Sequence, residues 1–144
     1  MSPLFFCLIF KNMGDDKFLK LYKKFPDLLA KESVINCEPG LYLIIEDMLM
    51  AIKTHQEMFS ARPSSFPAVF YRIEPKHGGI DFDYDGGDEI IDHIVEFTKK
   101  ISYKTCEVCG GKGELHCSTK WMHWSNKKTL CNKHAVELFY YTIT

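Results

Sequence analysis

Four residues near the end of the chain, Cys106, Cys109, Cys131 and His134, restrict its fold more than any other feature. They form a C-x2-C and a C-x2-H pair separated by 21 residues. Ligands at i and i+3 place both donors on one side of a tight turn. Two such pairs close a tetrahedron around Zn²⁺, which takes thiolate and imidazole with no geometric preference of its own. Gly110 and Gly111 follow the first pair and allow the positive φ that a metal knuckle needs. After His134 comes the apolar run Ala-Val-Glu-Leu-Phe-Tyr-Tyr, which reads as a short helix. Knuckle, hairpin and a helix holding the second pair in its first turn make the plan of a treble-clef zinc module. All four ligands are used in that plan, so the zinc is expected to be structural, with no open position for chemistry. His116, Cys117 and His123 fall between the pairs and are the rivals for a place in the quartet, Cys117 the more serious.

The rest of the chain predicts an α+β domain. At 144 residues, 46% of them hydrophobic, it has enough apolar material for one core with a metal-stapled appendage. Residues 1–12 are expected to be an extension or an edge strand, 13–102 the α+β domain and 103–144 the zinc module. The apolar stretch Leu4–Phe10 is too short to span a membrane and lacks the flanks of a signal peptide. With cysteines in metal spacing, a reducing cytoplasm is the expected setting.

Periodicity predicts a helix over Asp15–Lys24, with Phe18, Leu21, Tyr22 and Phe25 on one face. Pro26 stops it, and Pro26–Leu29 reads as a restarted turn. A second helix is expected from Leu41 to Phe59, with Tyr42, Ile45, Leu49, Ile52 and Met58 inward. Residues 60–67 form a loop. The period then changes to two: Val69, Tyr71 and Ile73, a turn at 75–79, then Ile80, Phe82 and Tyr84, which is a β-hairpin. Asp88 is a good N-cap for a third helix to Ser102, with Ile90, Ile91, Ile94, Phe97 and Ile101 as its buried stripe.

Charge is segregated. Residues 67–98 hold eight acids against Arg72 and Lys76, and 99–134 hold eight lysines against two glutamates. Two electrostatically distinct faces follow, which bear on partners more than on fold.

Three other chemistries compete for these residues. Asp81-x-Asp83-x-Asp85-Gly86 imitates a calcium loop, but its twelfth position is Asp92 where a bidentate Glu belongs, and the segment alternates like a strand. Asn126 and Leu130-Cys131 resemble the end of an HNH-type nuclease with His116 as base, but no Asp precedes His116 and His134 is wanted for the metal. Lysines interleaved with Trp121, His123 and Trp124 suit phosphate and base contacts, which makes a DNA- or RNA-binding regulator the alternative function. That region has no arginine to read guanine. Cys37, His55, His77 and His93 have no partner at metal spacing and receive no role.

Lys104-Thr105-Cys106-Glu107-Val108-Cys109-Gly110, with Thr129-Leu130-Cys131-Asn132-Lys133-His134-Ala135, resembles the ending of small phage- and prophage-encoded zinc proteins. The resemblance reaches back through Gly86-Gly87-Asp88 and the hairpin, and more faintly to the first helices. It implies a small protein working in the cytoplasm of a bacterial host, and with no catalytic constellation in the chain a non-enzymatic, binding role is expected. Zinc-carrying anti-CRISPR proteins that inhibit Cas nucleases are one type it is similar to. Its partner would then be a nucleic-acid-handling host protein, with Asp81, Asp83, Asp85 and Asp88 as the contact surface.

Overall fold

A computed structural model of the chain describes residues 16–59, 66–118 and 127–142. The expected extension at 1–12, most of the 60–67 loop, and Trp121, His123 and Trp124 lie outside them. Helix α1 (Asp16–Lys24) leads to strand β1 (Leu29–Ile35). A 3-10 turn (Pro39–Leu41) then opens α2 (Tyr42–Phe59). Strands β2 (Val69–Lys76) and β3 (Gly79–Asp85) follow, then α3 (Glu89–Ser102). The C-terminal part holds β4 (Glu114–Ser118), β5 (Lys127–Leu130), α4 (Asn132–Glu137) and β6 (Tyr140–Thr142). The fold is mixed helix and sheet with the Cys/His cluster near its C-terminus, as the sequence predicts.

The first sheet runs β1-β2-β3, with β1 parallel to β2 and β2 antiparallel to β3. The hairpin is the one read from the alternation. Strand β1 is not: Leu29 starts a strand rather than another helical turn. Its register jumps between Leu29↔Phe70 and Val34↔Arg72, and Lys31 and Glu32 are exposed within the bulge. A bulge breaks the period of two that makes a strand recognisable.

One core lies between this sheet and the helices, built on Leu21, Phe25, Ile45, Leu49, Ile52, Phe70, Ile73 and Ile91. Helix α1 buries the expected Phe18, Leu21 and Phe25, and the Tyr22 hydroxyl donates to the Ser33 carbonyl at 2.7 Å. Helix α2 buries Ile45, Met48, Leu49 and Ile52, while Met58, expected inside, is 72% exposed. Met58 falls in the last turn of α2. Helix α3 is rotated from the expected stripe. It buries Ile91, Val95, Thr98 and Ser102 and leaves Ile90 and Phe97 largely exposed. The Ser102 hydroxyl accepts the Ile80 N–H at 3.0 Å. That contact satisfies a donor opposite Pro75 in the hairpin register.

Asp88 caps α3 as expected, its Oδ1 accepting the Ile91 N–H at 3.0 Å. Its Oδ2 lies 2.6 Å from His55 Nε2, so the cap also ties α3 to the last turns of α2. The His55 hydrogen bond, then the Ile91 N–H, hold the Asp88 carboxyl below its ordinary value. A carboxyl depressed in the folded state adds stability above its unfolded pKa, and that stability is lost as pH falls through the folded one. Asp88→Ala is therefore expected to cost about 1 kcal/mol at neutral pH, the usual worth of an N-cap. The gap from wild type should narrow below about pH 4, where carboxylates protonate. Urea titrations at neutral and acid pH check this, and a gap that stays constant counts against it.

Candidate metal centre

Helix α3 ends at Ser102 and the chain turns almost at once into the first ligand pair. Thr105 Oγ1 donates to the Ile101 carbonyl at 2.9 Å, closing the helix end. Across the knuckle, the Cys106 N–H donates to the Gly111 carbonyl at 2.7 Å and the Gly110 N–H to the Cys106 carbonyl at 2.9 Å. Gly110 has φ +80°, where a side chain would be strained. The hairpin β4–β5 follows, with Glu114 opposite Leu130 and Cys117 opposite Lys127, and β6 pairs on the other edge of β4. Cys131 occupies the N-cap position of α4 and His134 sits in its first turn, with the Ala135 N–H bonded to the Cys131 carbonyl at 2.9 Å. Knuckle, hairpin and helix therefore occur in the order the spacing implies. The helix is shorter than the apolar run suggested: it ends at Glu137, Phe139 turns at φ +60°, and the rest becomes β6.

The four donor atoms lie within 4.8 Å of one another. Cys106 Sγ is 3.6 Å and Cys131 Sγ 3.1 Å from His134 Nδ1, and Cys109 Sγ is 3.9 Å from Cys131 Sγ. A tetrahedral ion with bonds of about 2.0–2.3 Å holds its ligands about 3.3–3.8 Å apart, so the quartet fits one four-coordinate metal. Among the described residues it is the one cluster of this kind. Neither His116 nor Cys117 belongs to it. His116 is buried on β4 with Nδ1–H donated to the Glu114 carbonyl at 2.6 Å.

Electrostatics agree with a cation at the centre. Burial pushes the Cys106 thiol up, yet N–H groups of Cys131, Cys109 and Val108 outweigh it and bring the thiol down to about 6. The Gly111 N–H lowers Cys109, but the neighbouring Cys106 and Cys131 sulfurs leave it raised. Crowded sulfurs that repel one another as anions are what a bound cation relieves. Two further residues went unread in the sequence. Glu137 brings Oε2 to 3.9 Å from His134 Nε2, the outer nitrogen, and so favours a ring with Nδ1 turned to the metal. Its spacing of three from His134 on one helix was the available signal. Glu107 is 2% exposed within the knuckle; burial pushes its carboxyl up, and it accepts the Thr129 N–H at 3.2 Å.

The four aspartates separate. Asp81, Asp83 and Asp85 lie along edge strand β3, with Asp83 and Asp85 exposed and Asp81 3.9 Å from Lys99. Asp88 is committed to the cap and His55. Alternate residues of a strand stand about 7 Å apart, so these acids do not wrap one calcium ion.

No helix of the described residues is long and apolar enough to cross a membrane. No family model, curated protein or solved structure matches the chain.

Proposed function

We propose that the chain is a zinc-stabilised binding protein without catalytic activity, of the phage and prophage kind, which docks on a nucleic-acid-handling host defence protein such as a Cas nuclease and inhibits it. Three thiolates and one imidazole favour Zn²⁺ over hard oxygen-seeking ions, and a Cys3His set fills the tetrahedron. The metal then acts as a staple, not as a Lewis acid. His116, the base a nuclease would need, is buried against a backbone carbonyl.

The observation that carries the docking role is the placement of Asp83 and Asp85, exposed on an edge strand whose inner residues Ile80, Phe82 and Tyr84 are held in or against the core. Acids fixed on a rigid strand present a patterned negative surface to a partner's basic nucleic-acid channel. Capture from nuclease-treated host lysate, with wild type and Asp83→Lys/Asp85→Lys side by side, tests the reading. The wild type should retain a protein that the variant loses at least about tenfold, with stability unchanged to about 0.5 kcal/mol. Retention found only in a parallel untreated lysate, or surviving charge reversal, would sink it. The first result would point to the lysine-bearing C-terminal module and nucleic acid instead.

A further inference from the structure

Helix α3 carries two apolar stripes. One is buried in the core. The other, Ile90, Ile94, Phe97 and Ile101, recurs at steps of four, three and four and shares the next face of the helix. Ile90 is 50% and Phe97 65% exposed, Ile101 is half-buried, and Ile94 is half-buried at the boundary, packed against the core. Beside it runs a parallel polar line, Glu89, His93, Glu96 and Lys100, at the same steps and exposed throughout. Among the described residues Glu89, His93 and Lys100 have no ion-pair partner, while Glu96 is 3.9 Å from Lys99 on its own helix. The opposite flank of α3 meets β3, where the Tyr84 hydroxyl donates to Asp92 at 2.5 Å and Lys99 approaches Asp81.

We infer that the exposed face of α3 is the contact of a symmetric dimer, with a second copy of this chain laid antiparallel across it. The order of the polar line argues for it. Glu89 and Lys100 are equidistant from the point midway between Ile94 and Val95, near the middle of the helix, and so are His93 and Glu96. A twofold axis at that midpoint sets Glu89 against Lys100 of the second copy and His93 against Glu96, each pair formed twice. The apolar pairs Ile90–Ile101 and Ile94–Phe97 are symmetric about a point one residue further along, so the same axis leaves each pair about 3 Å out of level, within reach of side chains of this length. A parallel pair would stack Glu89 on Glu89 and Lys100 on Lys100. A foreign basic partner would match the two glutamates and be opposed by Lys100. The face is one helix about 21 Å long, less than a standard interface of about 800 Å² per partner provides, so the association is reversible and concentration-dependent. It leaves the aspartates of β3 uncovered on the other flank, so a dimer displays two sets of them.

Sedimentation velocity of the full chain over a broad concentration range tests this without any host partner. The expected result is a mass rising from one chain to two. Phe97→Asp should abolish the rise, and Glu89→Lys should weaken it at least about tenfold. Glu89→Lys combined with Lys100→Glu should restore it. Those two positions are about 16 Å apart on one helix and cannot compensate within a chain, so recovery reports contact between copies. Thermal midpoints confirm that each variant is folded. A monomer at every concentration would overturn the proposal. So would association indifferent to Phe97→Asp, or a charge swap without recovery. A monomer that instead binds a basic peptide through these residues would give the face to a foreign partner.

Discussion

Chelation, or Cys106→Ser, should unfold the chain from the knuckle onward and leave the helices and first sheet standing. The buried apolar cluster of the module is Cys106, Leu130 and Ala135, supported by Val108, Cys131 and Tyr140. So few residues do not offset the conformational entropy of ordering two hairpin strands, a helix and a knuckle. Metal binding supplies the difference, since structural zinc in small domains contributes about 10–16 kcal/mol of folding energy. Serine at position 106 removes a ligand and leaves a hydroxyl in a fully buried position. Hydrogen exchange should show protection lost across 104–118 and 127–142 and kept in α1–α3. Metal analysis should find one zinc per chain in wild type and in Cys117→Ser, and little in Cys106→Ser. A chelated protein with an unchanged thermal midpoint and unchanged exchange would refute the staple.

Gly40→Ala should be strongly damaging, and its damage should centre on the metal module. A Cβ there would stand 2.4 Å from the Cys106 carbonyl oxygen and 2.5 Å from that of Glu107. Both obstacles are backbone of the knuckle, which cannot rotate away as a side chain would. The Gly40 N–H also donates to the Glu107 carbonyl at 2.8 Å, so the methyl pushes apart a bonded contact. Overpacking of this kind costs about 1–3 kcal/mol, and the upper end is expected because neither side yields. The signature should be selective. Metal affinity falls modestly while Thr105–Gly113 gains exchange, because the module is displaced rather than dismantled. Unchanged stability in Gly40→Ala would mean the knuckle does not press on this turn.

Much of this was legible in the sequence, for identifiable reasons. The quartet could be read because its chemistry depends on spacing alone: two i, i+3 pairs can meet only through a hairpin between them. The β2–β3 hairpin was legible because Ile80, Phe82 and Tyr84 alternate cleanly with aspartates. Strand β1 was hidden because its bulge sets Lys31 and Glu32 side by side among exposed residues, and because its pairing with β2 is parallel and non-local. The buried face of α3 was misassigned because its five large apolar residues, Ile90, Ile91, Ile94, Phe97 and Ile101, cover two faces. Hydrophobicity does not say which face wins when Thr98 and Ser102 bury their hydroxyls on backbone carbonyls at 2.8 and 2.6 Å. His55 and Asp88 are 33 positions apart and could be matched only once α2 and α3 were seen to pack.

The joint between the first sheet and the metal module has a bearing on how such a protein can change over generations. Its hydrogen bonds use main-chain groups on the side of the first sheet: the Gly40 N–H donates to the Glu107 carbonyl, and the Gly78 carbonyl accepts the Thr129 hydroxyl at 2.5 Å. Main-chain groups are present whatever residue occupies a position, so the joint restricts little beyond two glycines and a threonine. Asp83 and Asp85, exposed on the edge of β3, take no part in it. Both positions can therefore change from lineage to lineage while the same scaffold continues to assemble.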